Sequence, residues 1–115
     1  MTDDCIFCMV ASKQIDARVV YEDDLVLAFD DITPQAPVHT LIIPKRHYAD
    51  MGDGVPAEVI AALFTAVPTV AGIKGVIDSG YRVIVNSGPD ASQTVGHLHV
   101  HVLGGAHMTH GMVSF

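Results

Sequence analysis

Positive charge is scarce in this chain. Its 115 residues hold six lysines and arginines against thirteen aspartates and glutamates, a net charge of −7 at pH 7. The six cations, Lys13, Arg18, Lys45, Arg46, Lys74 and Arg82, are scattered, so no basic stripe exists to release counterions from a nucleic-acid backbone. Polymeric DNA or RNA is not the expected partner. Long uncharged apolar runs are lacking as well. The longest apolar stretch, Val55 to Ile77, is broken by Pro56, Glu58, Pro68, Gly72 and Lys74, whereas a membrane helix needs an uncharged span of about twenty residues. No membrane partner is expected. Met1-Thr2-Asp3-Asp4 is acidic where a secretory leader would be basic and then apolar, which leaves the cytoplasm as the expected compartment. There is no tryptophan, and cysteine occurs twice only, at positions 5 and 8. In a reducing compartment so close a pair suggests metal or redox chemistry before a structural disulfide.

Half the residues are apolar, which argues against disorder, and a chain of this length buries roughly two-thirds of its unfolded surface. With no internal repeat, low-complexity run or linker, residues 1–115 read as one domain, with a core of about 5–105 and a C-terminal tail of 106–115. Five β-branched or alternating runs read as strands: 18–21, 25–29, 40–44, 81–86 and 97–103. Turn clusters Glu22-Asp23-Asp24 and Pro34-Gln35-Ala36-Pro37 make the first three an antiparallel meander. Pro56 and Gly80 bracket a central helix of about 56–78, whose Val59, Ile60, Leu63, Phe64, Val67, Val70, Ile73 and Ile77 form a broad apolar face. Pro68 is expected to kink or split it. Cys5 to Ser12 reads as a short N-terminal helix with Ile6, Met9 and Val10 inward. The expected class is α+β: an antiparallel sheet of about five strands with a helix or two on one face. The other face or an edge then needs a partner, and a homodimer suits that need.

The informative segment is Gly96-His97-Leu98-His99-Val100-His101-Val102-Leu103-Gly104-Gly105. In a strand, residues two apart share a face about 6.6 Å from one another, so His97, His99 and His101 line one side while Leu98, Val100 and Val102 enter the core. Mutual repulsion holds at least one imidazole neutral at pH 7. If a backbone carbonyl or a neighbouring histidine takes the N–H of His99, its other nitrogen presents a lone pair to an electrophile, the requirement for nucleophilic catalysis. Alternating histidines on a strand are equally good ligands for zinc or copper, and the pattern alone leaves metal binding and phosphoryl chemistry level.

His97-Leu98-His99-Val100-His101-Val102-Leu103 resembles the signature of the histidine triad (HIT) superfamily. Phe29-Asp30-Asp31-Ile32-Thr33-Pro34-Gln35-Ala36-Pro37-Val38-His39 and Ile43-Pro44-Lys45-Arg46-His47 are similar to upstream blocks of its Hint branch, the histidine triad nucleotide-binding proteins. Tyr81 to Asn86 and Gln93-Thr94-Val95 match in order and spacing, so the likeness runs from Cys5 to Gly105. It implies a HIT-like fold, a homodimer, and hydrolysis of purine nucleoside phosphoramidates or acyl-nucleotide monophosphates. His99 would attack the α-phosphorus and form a nucleotidyl-histidine that water cleaves. By the same resemblance His101 would bond the phosphate and His39 would support the cluster. Phe29 and Ile32 would flank the purine of AMP, GMP or a derivative. Asp31 would accept from the ribose, and Asn86, Thr94 and the backbone from Gln93 to Val95 would donate to phosphate. None of these positions is a lysine or arginine, which suits one phosphate better than a polyphosphate chain. A purine-nucleotide-binding module without catalysis, or a dinucleoside polyphosphate hydrolase, is the alternative.

Cys5-Ile6-Phe7-Cys8 has the spacing that lets two thiolates reach one tetrahedral ion, and two further ligands would close it. The resemblance implies His47 and His97 and hence a structural zinc. Redox use of the pair is the alternative, although no strand precedes it as a thioredoxin-like unit requires. The sequence departs from Hint proteins at Gly96, where an aromatic is common, and in its tryptophan-free tail with His107 and His110. Both bear on the leaving group.

Overall fold

The computed structural model describes residues 5–110. The acidic Met1–Asp4 segment and the end of the tail, 111–115, lie outside the described residues. Five strands form one antiparallel sheet: β1 (Val19–Glu22), β2 (Val26–Asp30), β3 (Val38–Pro44), β4 (Tyr81–Val85) and β5 (Val100–Gly104), in the order β1-β2-β3-β5-β4. The first three make the expected meander. The chain then leaves the sheet for helix α2 (Ala57–Ile73), returns as the edge strand β4, and inserts β5 between β3 and β4. That insertion flanks His101, the last of the three alternating histidines, with a strand on each side.

Period-two alternation sorts the core into two layers. Val26, Ala28, Ile42, Val100 and Val102 pack with Leu98 against Val59, Leu63, Ala66, Val67 and Val70 of α2. Leu27, Phe29, Leu41 and Ile43 point the other way and pack against Phe7 and Val10 of α1 (Ile6–Ala11). The two helices therefore lie on opposite faces, not on one as the sequence suggested. β2 and β3 are buried on both faces, so their near-continuous apolar runs hide the alternation that would have assigned a side to each helix.

Three further expectations are corrected. In α1 the inward residues are Phe7 and Val10, while Ile6 is half exposed, because six residues make less than two turns and only positions three apart share a face. Helix α2 runs unbroken through Pro68, which loses only the bond to the Phe64 carbonyl and lies on the exposed side. The last strand starts at Val100 rather than His97, since Leu98 N donates to Tyr48 O at 2.7 Å and draws 97–99 off the ladder toward the β3–α2 connection.

Part of the broad apolar face of α2 is uncovered. Phe64 and Ile73 remain exposed, as do Tyr81 and Val83 on edge strand β4. Ile77 is exposed too and lies past the helix, because α2 stops at Ile73, just before Gly75 at positive φ, instead of running to about 78. Among the described residues no helix is long and apolar enough to cross a membrane.

Candidate functional site

The cross-strand register builds the site. His101 pairs with Leu41 on β3, and Leu41 with Phe29 on β2, so these side chains stand in a row on the α1 face. His39, two residues before Leu41, shares that face. His39, His99 and His101 are all buried, and the rings of His99 and His101 lie 4.9 Å apart.

Hydrogen bonds assign the tautomers. Gln35 N–H donates to His39 Nδ1 at 3.0 Å, so a neutral His39 carries its proton on Nε2. That nitrogen stands 2.9 Å from His101 Nδ1 and 3.5 Å from Asp31 Oδ2, both acceptors. His101 Nδ1 therefore accepts, and its proton sits on Nε2. His99 Nδ1 lies 2.7 Å from the His97 carbonyl oxygen. A carbonyl only accepts, so Nδ1–H donates and the lone pair belongs to Nε2. Of the two ways of tying His99 that the alternating pattern left open, the structure uses the backbone carbonyl.

Charge on these rings is suppressed. Burial pushes His101 down to about 4, helped by His99 and His39 and opposed by Asp31. Burial also lowers His99, against the carbonyl of His97 and the Asp31 carboxylate, which favour its protonated form. His39 moves down for the same first reason. The cluster is neutral at pH 7.

A cleft of about 300 Å³ opens beside the histidines. It brings together Phe29, Asp31, Ile32, Thr94, Val95, His99 and His101 from the sequence-expected set. Phe29 is a buried wall and Ile32 an exposed rim. Asp31 Oδ1 caps its own turn through Thr33 N at 2.9 Å, so it is a turn carboxylate and a cleft carboxylate together. Asn86 and Gln93 do not line the cleft. Gln93 holds the loop instead. Its Nε2 donates to the Ala49 and Val95 carbonyls, its Oε1 accepts from Gly88 N, and its own N–H is spent on Gly88 O. His39 supports from behind His101.

Sequence reasoning missed the opposite wall, formed by Ile6, Phe7, Val10, Ile15 and Asp16. Phe7 meets Phe29 edge-on at 5.5 Å and His99 at 5.1 Å between ring centroids. An aromatic between two cysteines was the available signal, obscured by the ambiguous facing of so short a helix.

Behind that wall lies a second cluster. Sγ of Cys5 and Cys8 and Nδ1 of His47 and His97 all lie within 4.8 Å of one another. Cys8 Sγ is 3.2 Å from His47 Nδ1, and His97 Nδ1 is 3.3 Å from each sulfur. Zinc–sulfur and zinc–nitrogen bonds of about 2.3 and 2.0 Å set a tetrahedral S···N edge of roughly 3.6 Å, so the four atoms suit one such ion. His97 Nε2–H donates to the Pro44 carbonyl at 2.9 Å, which turns its Nδ1 lone pair toward the thiols. Burial pushes His97 down to about 4, so it is neutral and able to ligate.

The chain matches the HIT domain over residues 12–108. A 14 kDa zinc-binding protein of Brassica juncea is 43% identical, over 91% of this chain and 96% of that protein. A HIT family hydrolase from Legionella pneumophila is 43% identical with a TM-score of 0.87, covering 91% of this chain and 96% of that one. A HIT family hydrolase from Clostridium thermocellum is 39% identical with a TM-score of 0.92, covering 98% and 100%. A buried row of alternating histidines on a five-stranded antiparallel sheet defines a histidine triad fold. The chain belongs to the HIT family.

The neutral cluster sets an acid limb in stability. An unfolded histidine titrates near 6.5, so between pH 6.5 and about 4 the unfolded chain binds protons that native His97 and His101 refuse. Stability is full above pH 6.5 and falls as pH drops through that window. The urea midpoint is expected to be level from pH 8 to 7 and to decline steadily from pH 6.5 to 4.5, less steeply in His101→Gln. A midpoint that is level down to pH 4.5 contradicts a neutral buried cluster.

Proposed function

We propose that this chain, a single HIT domain, hydrolyses purine nucleoside phosphoramidates or acyl-nucleotide monophosphates through a nucleotidyl-histidine. One observation carries the proposal: His99 is neutral, its Nδ1–H tied to the His97 carbonyl at 2.7 Å, so that Nε2 is the nucleophilic nitrogen beside the cleft. The Legionella relative's description as a hydrolase supports it.

In the proposed reaction the purine stacks on Phe29 and the ribose hydroxyls donate to Asp31. His101 Nε2–H donates to a phosphate oxygen. The His99 Nε2 lone pair forms a bond to the α-phosphorus as the P–N or P–O bond to the leaving group breaks, and the leaving group takes a proton from solvent. Water then attacks phosphorus and returns a proton to solvent, the P–Nε2 bond breaks with its electron pair going back to Nε2, and the mononucleotide leaves. Because the adduct neutralises no lysine or arginine, the neutral donors His101 and Thr94 carry the phosphate. Among the described residues no lysine or arginine lines the cleft, which favours one phosphate over a polyphosphate chain.

We assign a structural zinc to Cys5, Cys8, His47 and His97, a set supported by its donor chemistry and by the zinc-binding description of the Brassica relative. The ion would cross-link α1 to the segment that carries the triad. With both nitrogens of His97 committed, this histidine takes no part in proton transfer. A cytoplasmic setting agrees with two reduced thiols. The exposed Phe64, Ile73, Ile77, Tyr81 and Val83 support a homodimer built on α2 and β4.

Two measurements test these assignments. With adenosine phosphoramidate as substrate, His99→Ala is expected to lose AMP release by about a thousandfold or more while AMP binding survives, because only the nucleophile is gone. Full activity in His99→Ala rejects the mechanism, and binding without turnover in the native chain favours the binding-module alternative. By metal analysis, the native protein is expected to hold one zinc per chain and Cys5→Ser much less, with a lower Tm that chelator lowers no further. Unchanged zinc in Cys5→Ser rejects the ligand set.

A further inference from the structure

Resting on the nucleotide reading of this cleft, a further residue determines which base it takes. The strand register orders the cleft from end to end. His101 on β5 faces Leu41 on β3, Leu41 faces Phe29 on β2, and Phe29 faces Val19 on β1. At about 4.8 Å per strand, β1 lies roughly 14 Å from the strand of the triad. Asp16 and Ala17 enter β1 and line the cleft at that far end. A phosphate in reach of His99 and a base on Phe29, two strands away, leave the distal edge of the purine directed toward Asp16.

Among the described residues three carboxylates line the cleft, and two are committed. Asp30 takes the Lys74 ammonium at 2.9 Å and the Thr40 hydroxyl at 2.9 Å. Asp31 caps its turn and faces His39. Asp16 makes no hydrogen bond or ion pair among the described residues. A carboxylate is acceptor-only, with two oxygens that suit a pair of adjacent donors. Guanine presents such a pair, N1–H beside its N2 amino group. Hypoxanthine keeps only N1–H, and adenine sets the acceptor N1 beside its amino group.

We propose that Asp16 is a specificity-determining residue whose carboxylate accepts from N1–H and the 2-amino group of guanine, so that the enzyme prefers guanosine substrates.

The test compares guanosine and inosine phosphoramidates, which differ by that amino group alone. The native kcat/KM ratio is expected to be about tenfold in favour of guanosine, the scale of one hydrogen bond to a charged acceptor at a solvent-open edge. Asp16→Ala is expected to bring the ratio near one and to raise KM for guanosine with kcat little changed. Because Asp16 is exposed, its Tm should not move. The same ratio is read from dissociation constants for GMP and IMP on His99→Ala, which needs no turnover. A native ratio near one, or a ratio that survives in Asp16→Ala, overturns the assignment to Asp16 while leaving the nucleotide site standing. Absence of binding and turnover for every nucleotide overturns both.

Discussion

A single hydrogen bond, from His99 Nδ1–H to the carbonyl of His97 at 2.7 Å, decides what this site can do. It selects one tautomer of a buried ring, and through that choice it selects which nitrogen keeps a lone pair. The bond is possible because residues 97–99 are drawn off the sheet ladder by the Leu98–Tyr48 contact, which frees the His97 carbonyl from pairing with a neighbouring strand. A fully laddered β5 starting at His97 would have spent that oxygen on the sheet. The departure from regular structure is the feature that the proposed chemistry would use.

Around this bond the cluster is held neutral by burial and aligned by a chain of donors. Gln35 N–H to His39, and His39 Nε2–H to His101, pass a tautomer choice from the backbone to the nitrogen that would meet the phosphate. The metal-type cluster is joined to the same machinery through His97, whose Nδ1 turns to the thiols while its carbonyl holds His99. Phe7, between the two cysteines, packs on both His97 and His99. Cys5 and Cys8 thus anchor a six-residue helix too short to hold itself, and that helix supplies one wall of the cleft.

Much of this was legible from residue order. The five strands, the meander, the central helix and the facing of His99 and His101 all follow from periods of 2 and 3.6, which the sheet and α2 obey. The gathering of Cys5, Cys8, His47 and His97 was reached through the HIT resemblance, and the donor atoms do converge. What stayed hidden has physical causes. β2 and β3 are apolar on both faces, so alternation could not say which side each helix covers. Six residues of α1 carry too little periodicity to orient Phe7. The Gln93 backbone N–H looked like a phosphate donor until the loop geometry turned it to the Gly88 carbonyl. Asp16 carries no motif, and only the strand register brings it to the far end of the cleft.

Nitrogen-15 NMR of the zinc-loaded protein, with His99 assigned by its absence in His99→Ala, reads the tautomer at pH 7 directly. The expected spectrum shows a neutral His99 with the proton on Nδ1 and an unprotonated Nε2. A proton on Nε2 alone, or a doubly protonated imidazolium, would contradict the account, because neither has a lone pair where the phosphorus must be met.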